Sequence, residues 1–111
     1  MNTWLFTAKK RRKGSHLHLV IICELDEDSF ARGPFLRFHA DPQPFARSFE
    51  LCFHHGWPDT PPKSGRMVRF EHLVPDIPDH VHLLRIHLAT GECREIQSKQ
   101  PKPISNRSPR R

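Results

Sequence analysis

The chain has 111 residues, with 18 Lys and Arg against 12 Asp and Glu, which gives a formal net charge of +6. This length predicts one small domain, and no apolar run approaches the length of a membrane span. Its three cysteines, Cys23, Cys52 and Cys93, form no close pair. That argues against a secreted disulfide framework and predicts an intracellular protein of the nucleus or cytoplasm with reduced thiols.

The positive charge is concentrated in two short segments. Five consecutive cations come before the first apolar run, and five more come in the last thirteen residues. Residues 14–97 hold eight Lys and Arg against all twelve acidic residues, a net charge of −4. This division predicts a basic N-terminal arm over residues 1–14, one globular domain over residues 15–97, and a disordered basic tail over residues 98–111.

The first part of the domain predicts two strands around a turn. Residues 16–25 alternate between two faces that are both apolar at the centre, which predicts a central strand. Three acidic residues then begin a turn or a single helical turn that ends at Gly33. Residues 34–40 predict a second short strand, and Pro34 at its start places it at a sheet edge.

Residues 43–54 carry competing helix and strand signals. The apolar residues from Phe49 to Phe53 alternate as in a strand. However, an Asp-Pro pair precedes the segment and suits a helix N-cap and first position, while Gly56 suits the position after a last turn. We therefore predict a helix here, in which Leu51 is the one residue that does not fit the apolar stripe.

The last part of the domain predicts three more strands. After a proline-rich loop, residues 66–74 and 80–88 each predict a strand, and an Ala-Thr-Gly turn leads into an edge strand over residues 92–97. These elements predict an α+β fold, a small antiparallel sheet of four to five strands with one helix across a face. The alternative, an all-β small barrel or sandwich, follows if residues 43–54 are a strand.

The cation run resembles a monopartite nuclear localisation signal, an extended Lys/Arg segment that nuclear import receptors recognise. The same residue types suit phosphate contact by counterion release, so a nucleic acid is the second candidate partner. The residues that would act as nuclear address or nucleic-acid contact are Lys9, Lys10, Arg11, Arg12, Lys13, Arg107, Arg110 and Arg111. Ser108, followed by proline, resembles a proline-directed kinase site whose phosphate would cancel charge in the tail.

Two histidines separated by one apolar residue, His80 and His82, resemble the metal-binding His-hydrophobic-His motif of the HUH single-strand nucleases. The resemblance implies a divalent metal held by both side chains and a tyrosine nucleophile on a following helix. The chain contains no tyrosine, so only the metal-binding half of the motif is present. Zinc is the other metal candidate, with Cys52 and His54 as close ligands and His80 or His82 as partners.

These features predict a small, non-enzymatic accessory or regulatory protein that acts in the nucleus or on nucleic acid through basic arms, without a cofactor. The alternative is a protein–protein interaction module, such as a viral or young-gene accessory protein, in which the basic run is only a nuclear address. A metal-dependent HUH-like nuclease remnant is the remote third hypothesis. A body of about 80 residues buries a shallow core, so we also expect a protein partner or a homo-oligomer.

Overall fold

The computed structural model describes residues 4–58 and 66–98, which contain seven strands and one short helix. In chain order the elements are β1 (Leu5–Lys13), β2 (His16–Asp26), α1 (Glu27–Phe30), β3 (Pro34–His39), β4 (Ala46–Phe53), β5 (Met67–Val74), β6 (Leu83–His87) and β7 (Cys93–Gln97). The described part of the chain is therefore mostly β, and its four-residue helix is too short to cross a membrane.

The first sheet contains three antiparallel strands in the order β1-β2-β5. β1 and β2 are joined by the two-residue loop Gly14-Ser15, which follows the paired residues Lys13 and His16. Gly14 has a φ of 62°, a positive value that glycine adopts without strain and that suits the first position of a type II′ turn. The loop therefore sets the register of the whole hairpin.

The second sheet contains four strands in the order β3-β4-β6-β7. β3 pairs with β4, and β6 with β7, in antiparallel fashion, whereas β4 and β6 are parallel. The connection from β4 to β6 passes through β5, which belongs to the first sheet. The chain therefore leaves the second sheet after β4, adds a strand to the first sheet, and returns beside β4.

Both sheets turn an apolar face toward one hydrophobic core. The first sheet contributes Leu19 and Ile21, and the second contributes Leu51, Leu84 and Ile86, each at most 1% exposed. Alternate residues of each strand face outward, because successive side chains of a strand point to opposite faces. The described strands thus form two sheets that share a core, and they do not close into a barrel.

The predicted basic arm over residues 1–14 is wrong for most of that segment, because residues 5–13 form strand β1. The physical reason is an alternation of apolar residues at the start of the chain. Trp4, Phe6 and Ala8 face the core and are at most 8% exposed. The globular part of the protein therefore includes β1, and burying these three side chains is part of what stabilises it.

Trp4 anchors the start of β1 in the core. Its ring packs against Phe53 and Trp57, with centroid distances of 5.8 and 5.6 Å. Its indole Nε1 donates a hydrogen bond of 2.9 Å to the Asp26 carboxylate. Burial opposes ionisation of Asp26, but hydrogen bonds from Ser29 and Trp4 outweigh it and lower the pKa of this carboxyl.

The predicted helix over residues 43–54 is also wrong, because residues 46–53 form strand β4. Its inward-facing residues Phe49, Leu51 and Phe53 are buried in the core. Leu51, which fits no helical stripe, fits the strand because every second residue faces inward. The expected single sheet with a helix across one face is replaced by the two-sheet, mostly β arrangement.

Most of the other predicted elements are confirmed. The strands expected over residues 16–25, 34–40 and 66–74 are present as β2, β3 and β5, and the strand expected over residues 80–88 is present in part as β6, which begins after His82. β2 is the central strand of its sheet, and β3 and β7 are the edges of theirs. α1 is the expected single helical turn, and the Asp26 carboxylate caps it by accepting a hydrogen bond of 3.1 Å from the Ser29 backbone N–H.

Candidate nucleic-acid interface

The cation run lies on the edge strand β1, where the strand divides it between two faces. Lys9, Arg11 and Lys13 face outward, whereas Lys10 and Arg12 lie on the side of the core. Lys9 is half-buried, and the three cations nearest the hairpin loop are exposed. We refer to Lys9, Arg11, Arg12 and Lys13 as the hairpin cations.

Lys10 does not belong to this exposed group. It is 3% exposed, and its Nζ donates a hydrogen bond of 2.9 Å to the backbone carbonyl of Asp79. Burial lowers the pKa of the ammonium, although the Asp79 carboxylate opposes the shift. Lys10 therefore ties β1 to the loop before β6, and its position does not support the expectation that it contacts a polyanion.

The hairpin cations form no ion pair within the described ranges. Several other arginines do form one. Arg37 lies 2.6 Å from Glu50 on the second sheet, and Arg85 lies 2.8 Å from Asp41. Among the described residues, no carboxylate forms an ion pair that would neutralise the positive potential of the hairpin cations.

Two histidines of β2 lie beside the cations. His16 and His18 are the cross-strand partners of Lys13 and Arg11, and their rings are stacked with centroids 6.5 Å apart. His16 Nδ1 lies 2.7 Å from the Asp76 carboxylate, and His18 Nδ1 accepts a hydrogen bond of 3.2 Å from the Asp76 backbone N–H. Asp76 is thus engaged by the two histidines, and no other carboxylate of the described residues pairs with the hairpin cations.

The described part of the chain ends beside the loop that holds Lys10. The Ser98 backbone N–H donates a hydrogen bond of 2.9 Å to the carbonyl of His82, three residues beyond the Asp79 carbonyl that holds Lys10. In the sequence, Ser98 is followed by the five cations of residues 99–111. Ser98, the last described residue, is therefore bonded to the same loop that holds Lys10 of β1.

The geometry suits phosphate contact better than base recognition. Alternate residues of a strand are about 6.8 Å apart, so Lys9, Arg11 and Lys13 form a row about 14 Å long. Such a row can neutralise several phosphates, but it carries no pattern that reads base edges. No Phe or Trp occupies an outward position of β1 or β2, so base stacking is not supplied by the hairpin.

The predicted metal ligands do not come together. Cys52 is half-buried on β4, where burial raises the pKa of its thiol. His54 is exposed and stacks on a phenylalanine of β3, His82 stacks on a second phenylalanine, and His80 is exposed in the loop before β6. Within residues 4–58 and 66–98, no group of three or more His, Cys, Asp and Glu side chains could hold a metal ion.

Part of the predicted site lies outside the described residues, namely Arg107, Arg110, Arg111 and the modification candidate Ser108. The sequence prediction also misses the hairpin that positions the remaining cations. The signal for it is nevertheless present. A Gly-Ser pair between two runs with alternating apolar residues is typical of a two-residue hairpin loop.

A second polar cluster lies on the outward face of the second sheet. Arg85 donates hydrogen bonds to Asp41 at 2.8 Å, to Gln43 at 2.6 Å and to Glu95 at 2.8 Å. The Ser48 hydroxyl also donates to Asp41, and this bond, with those from Gln43 and Arg85, outweighs burial and lowers the pKa of Asp41 to about 2. The cluster holds the loop before β4 against the sheet, a structural role.

Comparisons with protein-family models, with curated proteins and with solved structures found no match to this chain.

Proposed function

We propose that this protein is a non-enzymatic accessory protein that binds the phosphate backbone of nucleic acid through its β1–β2 hairpin. The observation that supports the proposal is the contrast between the hairpin cations, which have no ion pair among the described residues, and the paired arginines of the second sheet. Strand pairing fixes the backbone that carries these cations. A polyanion would therefore bind with little loss of backbone entropy.

The expected binding is electrostatic and independent of sequence. Each phosphate that a cation neutralises releases condensed counterions. The slope of log K against log salt concentration therefore becomes more negative by about 0.9 per contact on duplex DNA and by about 0.7 per contact on a single strand. Four hairpin cations predict a slope of about −3 to −4 for log K against log salt. Cations of residues 99–111 would add to this value.

The geometry favours phosphate contact over a nuclear address. An import receptor recognises an extended basic peptide, but β1 is paired with β2 along its length and its Lys10 side chain is buried. Recognition of the whole run would require β1 to leave the sheet and expose Trp4 and Phe6 to water. Phosphate contact requires no such rearrangement.

A second explanation for the cations needs a direct test. Positive charge on an edge strand prevents that edge from pairing with other chains, whether or not it binds a ligand. Edge protection predicts no particular affinity for nucleic acid. The test must therefore measure binding itself and must compare cations on the two opposite faces of β1.

Two single substitutions within the run provide the comparison. Arg11→Met removes an outward charge, Lys10→Met removes the buried one, and both lower the net charge by one. We expect R11M to reduce the slope of log K against log salt by about one, and K10M to leave it unchanged, because Lys10 does not reach the surface. Fluorescence anisotropy with random oligonucleotides between about 50 and 200 mM salt measures both slopes.

A variant with all four hairpin cations replaced by Gln gives the slope of log K against log salt that remains without the hairpin cations. Far-UV circular dichroism checks that each variant is folded. The proposal is wrong if the wild-type protein does not bind at the lowest salt concentration. It is also wrong if R11M and K10M lower the slope equally, because the effect would then follow net charge and not the hairpin surface.

A further inference from the structure

The two sheets have four edge strands, and three of them carry features that discourage pairing with another chain. β1 carries the cation run, β3 begins with Pro34, and β7 has only five residues with Arg94 turned inward beneath Phe6. β5 differs from all three. It has eight residues, contains no Lys, Pro or Gly, and pairs with no strand on its outer side in the ranges described.

The sequence of β5 is complementary to itself in one register. In an antiparallel pair, residues directly opposite each other point to the same face. A two-fold axis at Phe70 therefore places Arg69 opposite Glu71 of a second copy, and Glu71 opposite Arg69. The same register places Met67 opposite Leu73, which is 52% exposed in the single chain.

Neighbouring registers lose this complementarity. An axis at Arg69 brings the two Arg69 side chains together, and an axis at Glu71 brings the two Glu71 side chains together. Like charges directly opposite each other destabilise a sheet, whereas opposite charges stabilise it. Both side chains are exposed, at 55% and 47%, and their charged atoms lie 3.6 Å apart within one strand, so both reach the outward face of the edge.

We infer that β5 pairs with β5 of a second copy of this chain, antiparallel and centred on Phe70. The pairing joins two three-stranded sheets into one of six strands, in the order β1-β2-β5-β5-β2-β1. It covers the exposed Leu73 and satisfies the open backbone groups of the edge. This inference does not depend on nucleic-acid binding, because none of its residues is a hairpin cation.

Charge reversal tests both the partner and the register. Glu71→Arg places Arg opposite Arg at both sites of the dimer, and Arg69→Glu places Glu opposite Glu. We expect each single variant to dissociate at concentrations at which the wild-type protein has twice the 13.0 kDa mass of one chain. The double variant R69E/E71R restores opposite charges at both sites and should dimerise like the wild type. Analytical ultracentrifugation over a concentration series measures all four proteins.

Mixing the two single variants gives the most specific result. Arg69 of the E71R chain then lies opposite Glu71 of the R69E chain, and the introduced Arg and Glu face each other at the second site. We expect the mixture to form a heterodimer although neither variant dimerises alone. A wild-type protein that stays at 13.0 kDa, single variants that dimerise normally, or a mixture that stays monomeric would each overturn the inference. Circular dichroism separates dissociation from unfolding.

Discussion

At the scale of single residues, Asp41 shows how a correct local signal leads to a wrong element. The Asp-Pro pair indicates a capped turn, and the structure contains one, because Asp41 accepts a hydrogen bond of 2.9 Å from the Gln43 backbone N–H. The same carboxylate also binds Arg85 and Ser48, which lie on the second sheet. The turn at Asp41 therefore begins a loop that is hydrogen-bonded to the second sheet, and strand β4 follows it instead of a helix.

This residue gives a prediction about acid stability. Asp41→Asn should lower the free energy of unfolding by about 2 kcal/mol at neutral pH, because it removes the charged acceptor of several hydrogen bonds. The folded-state pKa of Asp41 is lowered to about 2, so its stabilisation is complete above the ordinary value near 3.8 and is lost as the pH falls through about 2. The difference between the two proteins should therefore shrink as the pH falls from 4 to 2. Urea denaturation at several pH values measures it.

Asp28→Asn, a change at an exposed carboxylate of α1, is the matched control and should change stability by less than about 0.5 kcal/mol. A D41N deficit that stays constant down to pH 2 would show that the carboxylate charge is not its cause.

The candidate site is only partly predictable at this scale. Five adjacent cations predict an electrostatic role from residue type and order alone. It does not reveal that Lys10 is buried, because that depends on the β1–β2 register and on the distant Asp79 carbonyl. Which cations can reach a ligand is decided by tertiary pairing and not by composition.

At the scale of elements, strands with a clear period of two were predictable and ambiguous segments were not. β2 alternates apolar and polar residues at both ends and is apolar on both faces at its β-branched centre, from which its central position follows. The apolar residues of β4 fit both a helical and a strand spacing, so the two patterns overlap, and burial of Leu51 in the shared core decides between them. β1 was missed because charge obscured the alternation of its apolar residues.

The strand assignment of β1 predicts an alternating response to substitution. Phe6→Ala should lower the free energy of unfolding by about 3 kcal/mol, because it leaves a cavity in the core. Thr7→Ala, at the next and exposed position, should cost less than about 1 kcal/mol. Chemical denaturation compares the two variants with the wild type. Equal and small effects would mean that this segment is an arm after all.

At the scale of the whole molecule, one core connects the two sheets, and the reactivity of the three cysteine thiols depends on how deeply each is buried. Cys23 lies at the centre of the first sheet and is fully buried, which raises the pKa of its thiol to about 12, whereas Cys52 is half-buried and Cys93 is exposed. We expect a thiol reagent, used near the ordinary thiol pKa of about 8.5, to modify Cys93 first and Cys23 only after unfolding.

Mass spectrometry of the modified protein over time measures the order of reaction. Cys23→Ala should remove the slow phase and leave the modification of Cys93 unchanged. Rapid modification of Cys23 in the folded protein would contradict a single core shared by both sheets.

The overall arrangement is the part that the sequence could not supply. Local patterns locate strands, but the parallel pairing of β4 with β6 joins segments that are separated by β5 and two loops. Turn residues indicate pairing between neighbouring strands, but they do not indicate a pairing between strands so far apart in sequence. The division of the strands between two sheets follows from which apolar faces meet in the core, and that is a property of the folded chain.

The path of the chain through β5 interleaves the two sheets in sequence. The central pair of the second sheet, β4 and β6, joins strands that are separated in sequence by a strand of the first sheet. Neither layer is a contiguous stretch of polypeptide, so neither could be excised and expected to fold alone. Folding should thus be a single, comparatively slow event dominated by distant contacts, and a fragment ending after β4 should remain without stable structure.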